Sequence, residues 1–186
     1  KEPILDVNTI FVSENVMRKL QTNTSLNDYL AICNSVDLKI KNYNRIVVLE
    51  NVQIPGNVGT IIRTAYSFGY DGVILLDGCC DIYNPKTIQA SQGAIFHIPV
   101  VYSNLDEAVS ILRKNDCKLI ATSLKNASNL AKTCMFDKYA VLFGNERNGL
   151  SERAIESSDI SVKIEMDNFE SLNVAVAGGI VMYEYR

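Results

Sequence analysis

The stretch IVVLENVQIPGNVGTIIRTAYSF, Ile46 to Phe68, reads as a strand, a tight loop and a helix in succession. Ile46 to Leu49 are four consecutive apolar residues, three of them β-branched, the pattern of a strand buried on both faces. Asn51, Pro55, Gly56 and Asn57 supply turn chemistry. Val58, Ile61, Ile62, Ala65 and Phe68 then recur at helical spacing, which predicts a helix over 58–68 with Asn57 as its cap. In an open α/β sheet, ligands bind in the crevice beyond the C-terminal ends of the strands. Gly56 and Gly59 are expected to let a backbone approach whatever sits there. Arg63, the one charge on this helix, either points to solvent or has a functional role.

Downstream the alternation continues. Gly69 is a helix stop, and GVILLD (72–77) is a second buried strand. Asn84-Pro85 opens a short helix over Lys86 to Ser91, ended by Gly93, and Ile95 to Tyr102 is read as extended. Asn104 caps a helix to Lys114 with Leu105, Val109 and Leu112 on one face. KLIATS (118–123), YAVLF (139–143) and ISVKI (160–164) are strands. Ser151 starts a short helix to Glu156, and a last helix spans Ser171 to Tyr185. Strands alternating with helices predict an α/β fold, a mainly parallel sheet with helices on both faces. Residues 1–44 differ in character, being polar and rich in Asn. Thr9 to Ser13 is a candidate strand, Glu14 to Leu20 and Ser25 to Ile32 have helical patterning, and Asp37 to Asn44 reads as a connector. The predicted division is a small N-terminal remnant over 1–44 and a main domain over 45–186.

The chain has 186 residues, 47% hydrophobic and 21% charged, which suits one domain with a fragment of another. Its net charge is −3, with six basic and five acidic residues in 1–45 and twelve and sixteen in 46–186. An RNA partner would therefore need a local basic patch, because the bulk charge repels phosphate. Five cysteines, Cys33, Cys79, Cys80, Cys117 and Cys134, without CxxC spacing, and a single histidine make a zinc site implausible and reduced thiols in a cytoplasmic protein the expectation. No signal peptide is visible, and the apolar run Val174 to Tyr183 is too short to cross a bilayer and reads as a buried helix. No GxGxxG or GxxxxGK[ST] follows a strand and no GxSxG occurs, against dinucleotide, phosphate-loop and serine-hydrolase chemistry. His97, between Phe96 and Ile98, is read as a packing residue.

Three loops rich in Gly or Asn each follow a strand: Asn51 to Gly59, Gly144 to Gly149 and Glu165 to Asn173. Gathered at one sheet edge they would form a single pocket holding Asn57, Arg63, Asn145, Glu146, Arg147, Ser171 and Asn173. Ser171 is a candidate cap for the last helix, whereas Asn173, polar beside an apolar helix start, must find a partner.

PGNVGTIIRTA (55–65), LFGNERNGLS (142–151) and SLNVAVAGGIVMYE (171–184), with DIYNPKTIQASQGAIFHIPV (81–100) between, resemble the motifs of the SpoU/TrmH-type branch of the SPOUT RNA 2′-O-methyltransferases. The resemblance runs from Ile46 to Glu184 with the motifs in order. It implies S-adenosylmethionine as methyl donor, a C-terminal trefoil knot, a homodimer with its active sites at the interface, no metal, and ribosomal or transfer RNA as substrate. The N-terminal segment resembles the tail of a ribosomal-protein-L30-like domain, which favours ribosomal RNA. Carried over by position, Leu142, Gly144, Ile164, Met166 and Leu172 would hold the donor, and Arg63, Asn57, Glu146, Ser171 and Asn173 would form the catalytic face. Two positions depart from the family: the loop before Ser171 lacks a glycine usual near Asn168, and Gln89 stands where arginine is common. Arg63 is described in such families as the base. A guanidinium, a permanent cation with a planar fork of donors, is better suited to gripping phosphate, with Glu146 orienting it or accepting the proton. Gly178-Gly179 within a helix costs about 1 kcal/mol per glycine, which close packing, across a dimer interface for example, would justify. The rival reading is a non-catalytic RNA-binding relative of the same fold.

Overall fold

The computed structural model describes residues 7–21, 27–35, 37–124, 127–133, 136–168 and 171–186. The chain divides into two units, Lys1–Ser35 and Val36–Arg186. In the first, α1 (Glu14–Leu20) forms where the sequence predicts it, braced by an Arg18–Glu14 ion pair one turn apart, and none of its residues is buried. Two expectations fail there. Residues 9–13 are not a strand, since a strand persists only as one member of a ladder. Residues 27–32 are not helical; so short a segment is marginal without packing, and all six are exposed. Ser25 and Leu26 of that expected helix lie outside the described residues.

The second unit is a seven-stranded sheet: β1 (Arg45–Leu49), β2 (Gly72–Leu75), β3 (Val100–Tyr102), β4 (Lys118–Thr122), β5 (Ser128–Asn129), β6 (Tyr139–Phe143) and β7 (Ile160–Lys163). The order is β3-β2-β1-β6-β4-β7-β5, and every pairing is parallel. The α/β prediction holds. Continuous apolar runs are needed because both faces are covered. Val47, Leu49, Val73, Val141 and Phe143 face one core with α2 (Pro55–Ser67) and α6 (Val174–Glu184). Ile46, Val48, Ile74, Ala140 and Leu142 face the other with α4 (Leu105–Lys114) and α5 (Glu152–Glu156). The late strand β6 enters between β1 and β4, pairing Leu49 with Phe143 and Ala121 with Leu142. That insertion sets the loop after β6 beside the loop after β1.

Several local readings are corrected. α2 begins at Pro55, with Ile54 at the cap position and no side-chain cap. Proline suits the first helical position because its missing N–H is one the helix leaves unbonded, and the apolar Ile54 side chain offers no acceptor. Asn57 therefore lies inside the first turn, and its amide is used elsewhere. Gly59 makes room for α3 (Pro85–Ser91) and not for a ligand: a Cβ there would sit 2.4 Å from the Thr87 carbonyl oxygen and 2.7 Å from Ala90 Cβ. Ile95 to Tyr102 is not one extended run. Gln92 and Gly93 take left-handed conformations (φ 49° and 86°), a 3₁₀ turn follows over Ala94–Phe96, and only Val100–Tyr102 is strand. Ile95 and Ile98 take the core positions, while His97 is exposed and stacks on Tyr66 with ring centroids 5.4 Å apart. The last helix starts at Val174 and is capped by Asn173, whose Oδ1 accepts from the Ala175 and Val176 N–H groups; Ser171 is not the cap. It is buried on one side only. Gly178 faces Ile61 and Phe143, whereas Val176, Ile180 and Tyr183 are 40–52% exposed. Among the described residues no helix is long and apolar enough to cross a membrane.

At the N-terminal edge of the sheet, the Tyr139 hydroxyl donates to the Tyr185 carbonyl and lies 3.2 Å from the Tyr70 hydroxyl. All three tyrosines are buried, tying the end of α6 to β6, and burial pushes the Tyr70 phenol far up. Phenylalanine at Tyr139 is expected to cost about 1–3 kcal/mol, because it strands a buried carbonyl and a buried hydroxyl. Urea unfolding of Tyr139→Phe would read this as a lowered midpoint at unchanged slope.

Candidate active site

The C-terminal ends of β1, β6, β4 and β7 lie side by side, and three loops leave from them. The first runs from Glu50 into α2. Asn51 has a left-handed backbone (φ 54°), which turns its carbonyl toward the second loop, where Asn145 Nδ2 donates to it at 2.9 Å. The second loop, Gly144 to Leu150, closes on itself. Asn145 and Gly149 exchange backbone hydrogen bonds of 3.0 and 2.9 Å, and a Cβ at Gly144 would lie 2.2 Å from the Gly149 carbonyl carbon. Its far end is fixed by Glu50, whose carboxylate accepts from both Ser151 N–H and Ser151 Oγ at 2.7 Å. Ser151 Oγ in turn caps α5, as the sequence predicts, accepting from Ala154 N–H. The third loop runs from Ile164 to Asn173.

A polar relay joins the three. Asn173 Nδ2 donates to Asn57 Oδ1 at 3.1 Å, and Asn57 Nδ2 donates to Glu146 Oε1 at 2.8 Å. Asn57 is 8% exposed, so both ends of its amide must be satisfied, and they are. The relay also fixes which end of each amide is oxygen: Asn173 spends its oxygen capping α6 and its nitrogen on Asn57. Of the five side chains expected on the catalytic face, the structure brings Asn57, Glu146 and Asn173 into contact. It does not bring Arg63 or Ser171 into that set. Arg63 is exposed, six residues along α2 from Asn57, about 9 Å down the helix axis. Ser171 is exposed two residues before Asn173.

Of the expected donor-binding positions, Leu142 and Gly144 are buried at the end of β6. Ile164 and Met166 are half-buried beyond the end of β7, and Leu172 is 38% exposed before α6. Sequence reasoning missed Thr122, whose Oγ1 donates to the Leu142 carbonyl at 2.7 Å and orients the strand end between β7 and β6. It also missed Glu50. The signal in both cases was a polar residue closing an apolar strand. The Cys80 thiol beside the first loop is pushed up by burial, with the negative charges of Asp81 and Glu146 adding to it. A separate cleft of about 470 Å³, lined by Lys39, Lys41, Asn42, Asp71, His97 and Pro99 among others, opens at the opposite end of the sheet and shares no residue with the relay.

Residues 44–183 match the profile of the SpoU rRNA methylase family. The chain belongs to that family. Among similar proteins is the 23S rRNA (guanosine(2553)-2'-O)-methyltransferase RlmP of Bacillus subtilis, 34% identical over 176 residues, covering 94% of this chain and 71% of that protein. Another is the 23S rRNA (adenosine(1067)-2'-O)-methyltransferase of Streptomyces azureus, 38% identical over 75% of this chain; the chain spans about half of that relative's length, 53%. Among solved structures, the AdoMet-bound rRNA methyltransferase from Sinorhizobium meliloti superposes with a TM-score of 0.75 at 30% identity, over 81% of this chain and 58% of that one. The SpoU methyltransferase AviRb from Streptomyces viridochromogenes, in complex with AdoMet, gives 0.81 at 25% identity, over 97% and 74%.

Proposed function

We propose that this chain transfers a methyl group from S-adenosylmethionine to a ribose 2′-hydroxyl of ribosomal RNA. The observation that carries the reading is the Asn173–Asn57–Glu146 relay at the C-terminal edge of a parallel sheet. The donor set suits an adenosyl sulfonium: strand-end backbone at Leu142 and Gly144 and apolar side chains at Ile164, Met166 and Leu172 for the purine, with carboxylate and amide oxygens for the cation. When bound, S-adenosylmethionine supplies a methyl group already activated on sulfur.

The chain's own residues then have to hold the ribose hydroxyl in line and accept its proton. Glu146 Oε1 is engaged by Asn57, which leaves Oε2 to accept that proton. Arg63 grips the phosphate next to the target ribose and stabilises the developing oxyanion. Asn57 anchors the Glu146 carboxylate, Asn173 holds Asn57, and Ser171 serves the substrate side. Arg63→Lys tests the division of labour: it is expected to weaken RNA binding about tenfold, since a bidentate phosphate contact becomes a point charge, with the pH–rate profile unchanged in shape. A displaced limb of that profile would make Arg63 the base. Calorimetry with S-adenosylmethionine tests donor use; absence of heat and of competition by the demethylated product would favour a non-catalytic RNA-binding relative.

The finer reading includes a homodimer with active sites at its interface. Support comes from the exposed Val176, Ile180 and Tyr183, spaced four and three residues apart on the helix that Asn173 caps. The insertion of β6 between β1 and β4, followed by the return of α6 onto α2, supports a knotted C-terminal third. In this reading residues 45–186 are the methyltransferase domain and 1–44 an L30-like substrate-binding remnant. The protein is cytoplasmic, and transfer RNA is the less favoured substrate.

A further inference from the structure

The relay leaves open what holds Glu146 itself. The residue before it, Asn145, is half-buried and uses every polar group it has. Its Nδ2 crosses to the Asn51 carbonyl, 94 residues away in sequence. Its Oδ1 accepts from the Arg147 and Asn148 N–H groups at 3.0 and 3.2 Å, shaping the turn that carries Glu146. Its backbone pairs with Gly149 in both directions. The receiving carbonyl is fixed too. Asn51 is left-handed, and Gly78 packs so closely beneath it that an added Cβ would lie 2.5 Å from Asn51 Oδ1.

We propose that Asn145 is a positioning residue: it straps the Gly144–Gly149 loop to Asn51 and thereby aims the Glu146 carboxylate at Asn57, touching neither RNA nor donor itself. This rests on the methyl-transfer reading above. The logic is geometric. Glu146 has one hydrogen-bond anchor of its own among the described residues, Asn57 Nδ2, so the direction of its backbone must come from the residues around it. Asparagine suits the strap because one side chain both donates across to Asn51 and accepts twice within its own turn. Aspartate keeps the two acceptor bonds and replaces the donor by a carboxylate oxygen that repels the Asn51 carbonyl, so Asn145→Asp cuts the strap while keeping the turn. Asn145→Ala removes strap and turn together.

The test is a double-mutant cycle between Asn145→Asp and Glu146→Gln on the full chain, reading kcat and KM for methyl transfer to ribosomal RNA, with melting temperatures alongside. Asn145→Asp is expected to lower kcat about 10- to 100-fold, the scale of a small misplacement of a catalytic group, with KM for RNA within about twofold of the unsubstituted chain. In the Glu146→Gln background the same substitution is expected to change kcat by less than about twofold, because the residue it aims is already disabled. A merely structural role predicts multiplied losses tracking the melting temperature, and that result would overturn the proposal; so would an unchanged kcat. A crystal structure of Asn145→Asp supplies a readout independent of activity, with Asn145→Ala as the second variant. Glu146 is expected to leave hydrogen-bond distance of Asn57, and finding it still in place would overturn the strap. If the unsubstituted chain methylates no RNA, the functional reading fails and the crystal structures still decide the strap.

Discussion

Asn57→Ala is expected to lower kcat by about two to three orders of magnitude, the scale of losing a preorganised group that places catalytic charge, while changing the donor dissociation constant far less. Asn57 is the node through which all three loops meet. Removing its amide leaves the Glu146 carboxylate and the Asn173 amide without their mutual partner. Each stranded polar group costs about 1–3 kcal/mol where it is buried, so stability also falls, which thermal unfolding separates from the kinetic effect. Asn57→Asp sharpens the test. It sets two carboxylates at the 2.8 Å spacing now held by an amide donor, and like charges that close cannot both ionise near neutral pH. The pair then shares a proton, with its upper pKa raised. Below that pKa the shared proton restores the hydrogen bond, and above it repulsion breaks the relay. Asn57→Asp should therefore outperform Asn57→Ala at acidic pH and lose that advantage as pH rises. Equal activity of the two variants across pH 5 to 9, or an alanine variant with near-normal kcat, would contradict the role assigned to the relay.

The second large effect is expected at Gly144. An added Cβ would meet the Gly149 carbonyl carbon and the Leu150 nitrogen, both at 2.2 Å. Both are backbone atoms, so no rotamer change relieves the clash, and the loop must open. Gly144→Ala is expected to cost about 3 kcal/mol or more and to lower Tm by about 6–12 °C. The same opening breaks the Asn145–Gly149 pairing and carries Glu146 away from Asn57, so methyl transfer falls to background even below the new Tm. Thermal scans with and without S-adenosylmethionine check both parts. The donor raises Tm of the unsubstituted chain by mass action and should raise that of Gly144→Ala little or not at all. A variant that melts like the parent and responds to donor equally would show that the loop is not so tightly closed.

The sheet was legible because burial on both faces leaves continuous apolar runs: Tyr139–Phe143 is strand over the residues read for it, all five buried. Helix starts were legible where a side chain does the capping, at Asn84, Asn104 and Ser151. Two were misread: α6, where Asn173 and not Ser171 is the cap, and α2, which proline opens without a side-chain cap. Pro55 begins α2 two residues before the expected cap and releases Asn57 for the site. The extended run Ile95 to Tyr102 was misread because the left-handed Gln92–Gly93 pair, invisible to periodicity, resets the chain and turns His97 outward. Two-residue β5 offered no period to read. The polar relay is a different matter. Its members lie 89 and 116 residues apart, and no spacing rule joins them. Three ordered motifs pointed to the same residues by resemblance. What physically joins them is β6 entering between β1 and β4, a long-range pairing that local pattern does not encode.

The most direct test is to map ribose 2′-O-methyl groups in ribosomal RNA from cells with the gene, without it, and with Asn57→Ala in its place. One site is expected to be present in the first, absent in the second and nearly absent in the third, restored in vitro by purified protein with S-adenosylmethionine. An identical 2′-O-methyl pattern in all three would contradict the methyl-transfer reading.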